Sequence, residues 1–231
     1  VTRKWKNKML NRKSSLLAVS LVGALALSGC VINVGGNGDY HDGGGVSSIM
    51  GSVTIDPGRH AGDVSSVNGD VRLKEFAVAD DVSTVNGSVM LDNNVAVNSA
   101  TTVNGDITAG ENLNAFGSLE TVNGTITLSS GSMVEGDIET VNGDIALTDT
   151  EVKGDLTTLN GTIKLTGSTR VYGDIVFEES EDGWSTSERN WPVLIIEENA
   201  TVDGNIILER AVKLELADKS LESKVIRRNR S

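Results

Sequence analysis

The chain has 231 residues, 26 of them glycine, only 3% aromatic side chains and a formal net charge of −12. So few large rings exclude a globular core built on aromatics and favour small, stacked, β-branched layers in one elongated body. The single cysteine, Cys30, excludes an intrachain disulfide, and with two histidines it leaves too few soft ligands for a zinc site.

The charge is unevenly spread. Arg3, Lys4, Lys6, Lys8, Arg12 and Lys13 fall in the first 29 residues, which hold no acid; 20 basic residues less these 6 leave 14 against 32 acidic ones, a net of −18. A body that acidic repels phosphate backbones and anionic headgroups, so nucleic acid is excluded as a partner. Residues 1–29 read as a basic stretch, an apolar run from Leu16 to Leu27 and then small residues, a pattern of export and too short to span a bilayer. Met9 is an alternative start, because Met9 to Cys30 forms a complete signal by itself. The closing Leu27-Ser28-Gly29-Cys30 resembles the lipobox of bacterial lipoproteins. That resemblance implies cleavage before Cys30, lipid such as palmitate on Cys30, and, with Val31 rather than aspartate next, residence in the outer membrane. Several acyl chains at about 0.8 kcal/mol per buried methylene would anchor the chain without a spanning helix.

Residues 30–44, with Gly35-Gly36, Gly38 and Gly43-Gly44, carry no apolar periodicity and read as a tether. Beyond it a five-residue theme returns. Val67-Asn68-Gly69, Val85-Asn86-Gly87, Val103-Asn104-Gly105, Val122-Asn123-Gly124, Val141-Asn142-Gly143 and Leu159-Asn160-Gly161 are separated by 18, 18, 19, 19 and 18 residues. A fixed period of this size marks a solenoid. Apolar pairs such as Val71 and Leu73, or Ile163 and Leu165, alternate as inward strand positions. Each coil is broken by polar residues at three places: the Asn-Gly, a mid-coil run such as Asp92-Asn93-Asn94, and a junction such as Gly136-Asp137. The expectation is an all-β, single-stranded parallel β-helix over 45–216, right-handed and triangular in section, with about eight coils of 18–19 residues.

The Asn-Gly corner is expected to need positive φ at its glycine. Its asparagines, Asn68, Asn86, Asn104, Asn123, Asn142 and Asn160, should form a side-chain amide ladder. Ser66, Thr84, Thr102, Thr121, Thr140 and Thr158 make a hydroxyl column whose direction the neighbouring residues leave open. After each Asn-Gly, Asp70, Ser88, Asp106, Thr125, Asp144 and Thr162 alternate carboxylate with hydroxyl, which spaces the charges. At the junctions Asp137, Asp155 and Asp174 follow one another in consecutive layers, either as solvated corners or as weak calcium candidates.

Two family likenesses rest on these repeats. Val134-Glu135-Gly136-Asp137-Ile138, Val152-Lys153-Gly154-Asp155-Leu156 and Val171-Tyr172-Gly173-Asp174-Ile175 resemble the repeat of bactofilins, polymer-forming bacterial cytoskeletal proteins. The Val-Asn-Gly-Asp-Ile form is similar to adhesin-type β-solenoid domains of bacterial surface proteins. Both imply a stacked β-helix with no catalytic residue; bactofilins are cytosolic, whereas this chain carries an export pattern.

The eighth coil is enlarged by about twelve residues, placed at 176–192, which hold Trp184 and Trp191 beside Glu178, Glu179, Glu181 and Asp182. Aromatic rings among carboxylates can stack on a sugar and bind its hydroxyls, or the loop can cover the stack. Residues 217–231 read as a basic tail after the repeat has lost register. No nucleophile elbow, phosphate loop or zinc helix is present. The sequence therefore points to a noncatalytic envelope lipoprotein without cofactor, a structural or self-associating solenoid, with adhesion or binding of an envelope glycan through the tryptophan loop as the alternative.

Overall fold

In the computed structural model, residues 43–179, 188 and 191–228 are described. Cys30, the export segment, most of the tether, and Glu181, Asp182 and Trp184 of the insertion lie outside them. The described chain is a parallel β-solenoid whose strands stack on three faces. One face runs from Val46–Met50 and Val64–Asn68 through Leu119–Asn123, Ile138–Asn142 and Leu156–Asn160 to Ile175–Phe177, Ile206–Leu208 and Val225–Arg227. The second is a nine-stranded sheet from Val53–Ile55 to Lys213–Leu216. The third consists of short strands from Asn114–Ala115 to Thr201–Val202, joined to the first face because Val78–Asn86 and Ala96–Asn104 each run unbroken around the corner between them.

Every strand pairs with its own equivalent one coil away: Val64 with Val82, Ile126 with Ile145, Leu165 with Ile196. Like therefore stacks on like, and inward columns of Val, Ile and Leu form one continuous core from Val46 to Leu208. The hydroxyl column also faces inward. Thr84, Thr102 and Thr121 are buried, and their hydroxyls donate to the carbonyls of Gly69, Gly87 and Gly105 in the preceding coil at 2.8, 2.9 and 3.0 Å. An inward threonine between apolar neighbours is tolerated because its polar atom is satisfied locally.

The array has nine turns, one more than the repeat count suggested. Register survives beyond Asn205: Ile206 to Leu208 stack on Ile175 to Phe177, and Lys213 to Leu216 on Val193 to Ile196. The segment read as a basic tail supplies a 3-10 helix, Lys219–Lys224, whose Leu221 is buried, and the strand Val225–Arg227, which pairs with Ile206–Leu208. The insertion begins later than expected, since Val176 and Phe177 belong to a strand and Phe177 is fully buried.

The role assigned to the Asn-Gly glycines also changes. Positive φ occurs at that corner only at Gly161 (154°) and at its first-coil equivalent Gly51 (110°); in the first seven coils it falls instead at the mid-coil corner, on Gly58, Phe76, Asn94, Asn112, Gly131, Asp149 and Gly167. The Asn-Gly glycines answer a steric demand. A Cβ on Gly87, Gly105, Gly124 or Gly143 would lie 2.3, 2.0, 1.9 or 1.8 Å from the carbonyl oxygen of the glycine one coil below. Gly110 differs, because its added Cβ would meet chiefly the side-chain oxygen of Asn93, which can swing away. Gly105→Ala should therefore cost about 3 kcal/mol or more by forcing two coils apart, whereas Gly110→Ala should cost about 1; the shift in urea midpoint at unchanged slope distinguishes them.

Candidate functional site

Three sets of polar side chains run along the solenoid, and a fourth group interrupts the pattern near its C-terminal end. The asparagine ladder forms as expected on the exposed corner. Each amide nitrogen donates to the side-chain oxygen one coil below: Asn86 to Asn68, Asn104 to Asn86 and Asn123 to Asn104 at 3.0 Å, Asn142 to Asn123 at 3.1 Å and Asn160 to Asn142 at 2.9 Å.

The ladder ends on Arg210, which the sequence reading missed. The insertion removes the Asn-Gly corner from the eighth coil, and Arg210 of the ninth reaches across the gap, donating to the Asn160 side-chain oxygen and to the Leu159 carbonyl, the latter at 2.8 Å. Its side chain is buried and this desolvation lowers its pKa, though a guanidinium still holds its proton at neutral pH. The signal in the sequence was indirect: an arginine beside Ala211 and Val212, both also buried, where the corner motif should be.

The two aspartate columns serve the backbone. Asp70 accepts from the Ser88 N–H and Asp106 from the Thr125 N–H at 2.8 Å, with Ser88 accepting from Asp106 between them. At the junction Asp137 accepts from the Asp155 N–H, Asp155 from the Asp174 N–H and Asp174 from the Asn205 N–H, at 2.7, 2.7 and 2.8 Å. Consecutive carboxylates are tolerated because each caps a backbone donor that has no strand partner at the bend. Among the described residues no group of three or more His, Cys, Asp or Glu side chains is arranged to hold a metal ion. Asp149, accepting from both the backbone and hydroxyl of Ser168 and from the Ser130 hydroxyl, has its pKa lowered by those bonds.

The outer side of the first face presents an unexpected pair. Glu120 and Glu139 are stacked in adjacent strands, both half-buried, and burial raises both carboxyl pKa values. For Glu139 burial is the main cause, with repulsion from Glu120, Asp137, Glu178 and Asp155 added, and the value rises to about 7. The flanks of the insertion adjoin this region: the Glu178 N–H donates to Thr158, Trp191 is half-buried, and Pro192 is buried. On the third face, Tyr172 is stacked between Lys153 and Arg170, whose charged groups lie 3.9 and 4.5 Å from the ring centre and are paired to Glu151 and Asp203. The sequence-predicted carboxylates Glu178 and Glu179 stand at the mouth of the insertion, both half-buried.

The chain matches no protein-family model, and no curated protein or solved structure is detectably similar to it.

Arg210→Met keeps the apolar stem but leaves the Leu159 carbonyl and Asn160 amide without a donor, so a loss of about 2 kcal/mol is expected, against about 1 for Asn104→Ala within the exposed ladder; chemical denaturation compares the two. Glu139 gives a pH signature. Its folded pKa lies above the unfolded value of 4.5, so the folded state binds more protons between that pH and about 7, and stability falls as pH rises through this window. The loss should approach about 3 kcal/mol at most. Glu139→Gln should flatten the melting temperature across that range and raise it at pH 8; an unchanged slope would remove Glu139 as the source.

Proposed function

We propose that the protein is a noncatalytic lipoprotein of the cell envelope, held to the outer membrane by lipid on Cys30, whose solenoid is a rigid structural element. The observation that carries this reading is the continuity of the stack. Core columns and inter-coil polar bonds run from coil to coil, and the conspicuous side chains of the repeat are spent on the fold itself. The Asn and Asp residues of the corners and the inward Thr84, Thr102, Thr121 and Thr140, which would be the first suspects for chemistry, bond the adjacent coil; the Thr158 hydroxyl is the exception, buried with no partner among the described residues. The export segment and the Leu27-Ser28-Gly29-Cys30 box supply the location, and the body between is a spacer or scaffold.

Self-association is the second reading, and one feature favours it. At the C-terminal end the strands Lys213–Leu216 and Val225–Arg227 have no further strand beside them among the described residues, and between them opens a basin of about 690 Å³ lined by Leu214, Leu216, Val225, Lys219, Glu222 and Arg227. An uncovered strand edge over apolar side chains is a template for another chain. Residues 205–231 hold seven basic and four acidic residues, so this end complements the acidic body of a neighbour. Glycan binding draws on Trp191, whose half-buried position gives it less free ring surface than the loop suggested.

Cys30→Ser should move the protein out of the membrane pellet after carbonate extraction. Sedimentation velocity on residues 31–231 then separates the rest. An elongated monomer at all concentrations supports the spacer; larger species that persist when Trp184 and Trp191 are both replaced by alanine support association through the C-terminal edges. Retention on immobilised envelope glycans, lost in that double variant, would instead favour the adhesin-like reading.

A further inference from the structure

The repeat is broken in two places where a large apolar side chain has been put on the outside. At the ladder corner, five following coils carry exposed asparagine, yet the first coil carries Met50, which is 81% exposed, next to Ile49 at 49%. At the mid-coil corner the left-handed backbone position is filled by Gly, Asn or Asp in six coils and by Phe76, with φ 62° and 58% exposed, in the second. A phenylalanine there is strained by about 1–3 kcal/mol, and its exposed ring recovers none of this by burial in the core. Asn94 and Asn112 show that the same corner accepts a residue suited to that conformation.

These departures share one end. Ile49, Met50 and Phe76 lie in the first two coils, on two different corners, where the chain enters the stack at Gly43; of the remaining exposed large apolar side chains, Phe116 lies in the fourth coil and Ile226 at the opposite end. The first coil is also electrically balanced, with Asp56 against Arg59, whereas residues 63–154 above it hold 15 acidic residues against three basic ones. Only twelve residues, 31–42, separate Cys30 from Gly43. At about 3.5 Å per residue they reach no further than about 45 Å.

We infer that the N-terminal end of the solenoid is a membrane-contacting foot, in which Ile49, Met50 and Phe76 enter the interfacial layer of the bilayer to which Cys30 is attached. The inference rests on the lipoprotein reading above. Three apolar side chains would bind a bilayer weakly by themselves, but a short tether holds them at millimolar effective concentration, where weak contacts suffice to orient the body. The neutral first coil adds no repulsion at that end, while the acidic second to sixth coils resist lying flat against anionic headgroups. The foot thus fixes which end of the rod points away from the membrane.

The test is oxidative footprinting of the full lipidated chain in phosphatidylcholine vesicles, with methionine sulfoxide at Met50, Met90 and Met133 read by mass spectrometry. Met90 and Met133 are half-buried on other faces and serve as internal references. Met50 should oxidise no faster than Met90 in the wild-type chain. In the Ile49→Ser/Phe76→Asn variant, whose asparagine suits the left-handed corner, it should oxidise several-fold faster. Met50 oxidising several-fold faster than Met90 already in the wild type overturns the foot while leaving the anchor intact. Protection that disappears on tenfold dilution of protein in lipid assigns this end to a second copy and also overturns it. A wild-type chain absent from the vesicle pellet overturns the lipoprotein reading, and the foot with it.

Discussion

At the Asn-Gly corner, and from the fifth coil onward at the junction corner, successive coils rest on one another through backbone touching backbone. At Gly105 the glycine beneath sits so close that its carbonyl oxygen occupies the place of a Cβ, and at Gly173 the same is true of Gly154. No side chain fits between layers at these points, so glycine recurs at the spacing of the coil, and that spacing forces each neighbouring residue into line with its own equivalent. The valine columns, the inward threonines and the outward asparagines all inherit their stacking from this contact. Once coils are held in register, a residue that bonds well to a copy of itself is favoured: asparagine does, offering a donor and an acceptor in one side chain, and threonine does by turning its hydroxyl to the backbone below.

The acidic composition follows from the same geometry. A bend between strands leaves an N–H with no strand partner, and a carboxylate one coil below is well placed to accept it. Aspartate at a corner is thus a backbone acceptor before it is a surface charge. Where acids occupy a strand instead, as Glu120 and Glu139 do, no such donor is available, and burial and mutual repulsion act on them directly. The difference between a lowered carboxyl pKa at Asp149 and a raised one at Glu139 is the difference between a corner and a face.

The repeat made the solenoid legible because period, apolar alternation and corner composition pointed to one architecture. The asparagine ladder could be read for the same reason. What escaped notice depended on distances between layers or on breaks in the repeat. Asn-Gly is commonly a positive-φ pair, so its glycine was given the wrong cause; the true left-handed positions held Phe76, Asn94 and Asp149, residues with no common chemistry to align. Arg210 had no counterpart in other coils, and the last turn was hidden because Lys213 to Leu216 keep strand register after the Asn-Gly has gone.

Most contacts in the array join nearest neighbours, which allows a solenoid to fray one layer at a time from an open end. Arg210 is an exception, for it ties the ninth coil to the seventh across the eighth. That bond, with Leu221 seated over the core and Val225 to Arg227 folded back on Ile206 to Leu208, clamps the last three coils into a block that must come apart together. Fraying is therefore directional, with the loose end at the first coil and the locked end at the ninth. Tension applied at Gly43 would peel the rod from its first coil, layer by layer, and reach the clamp last.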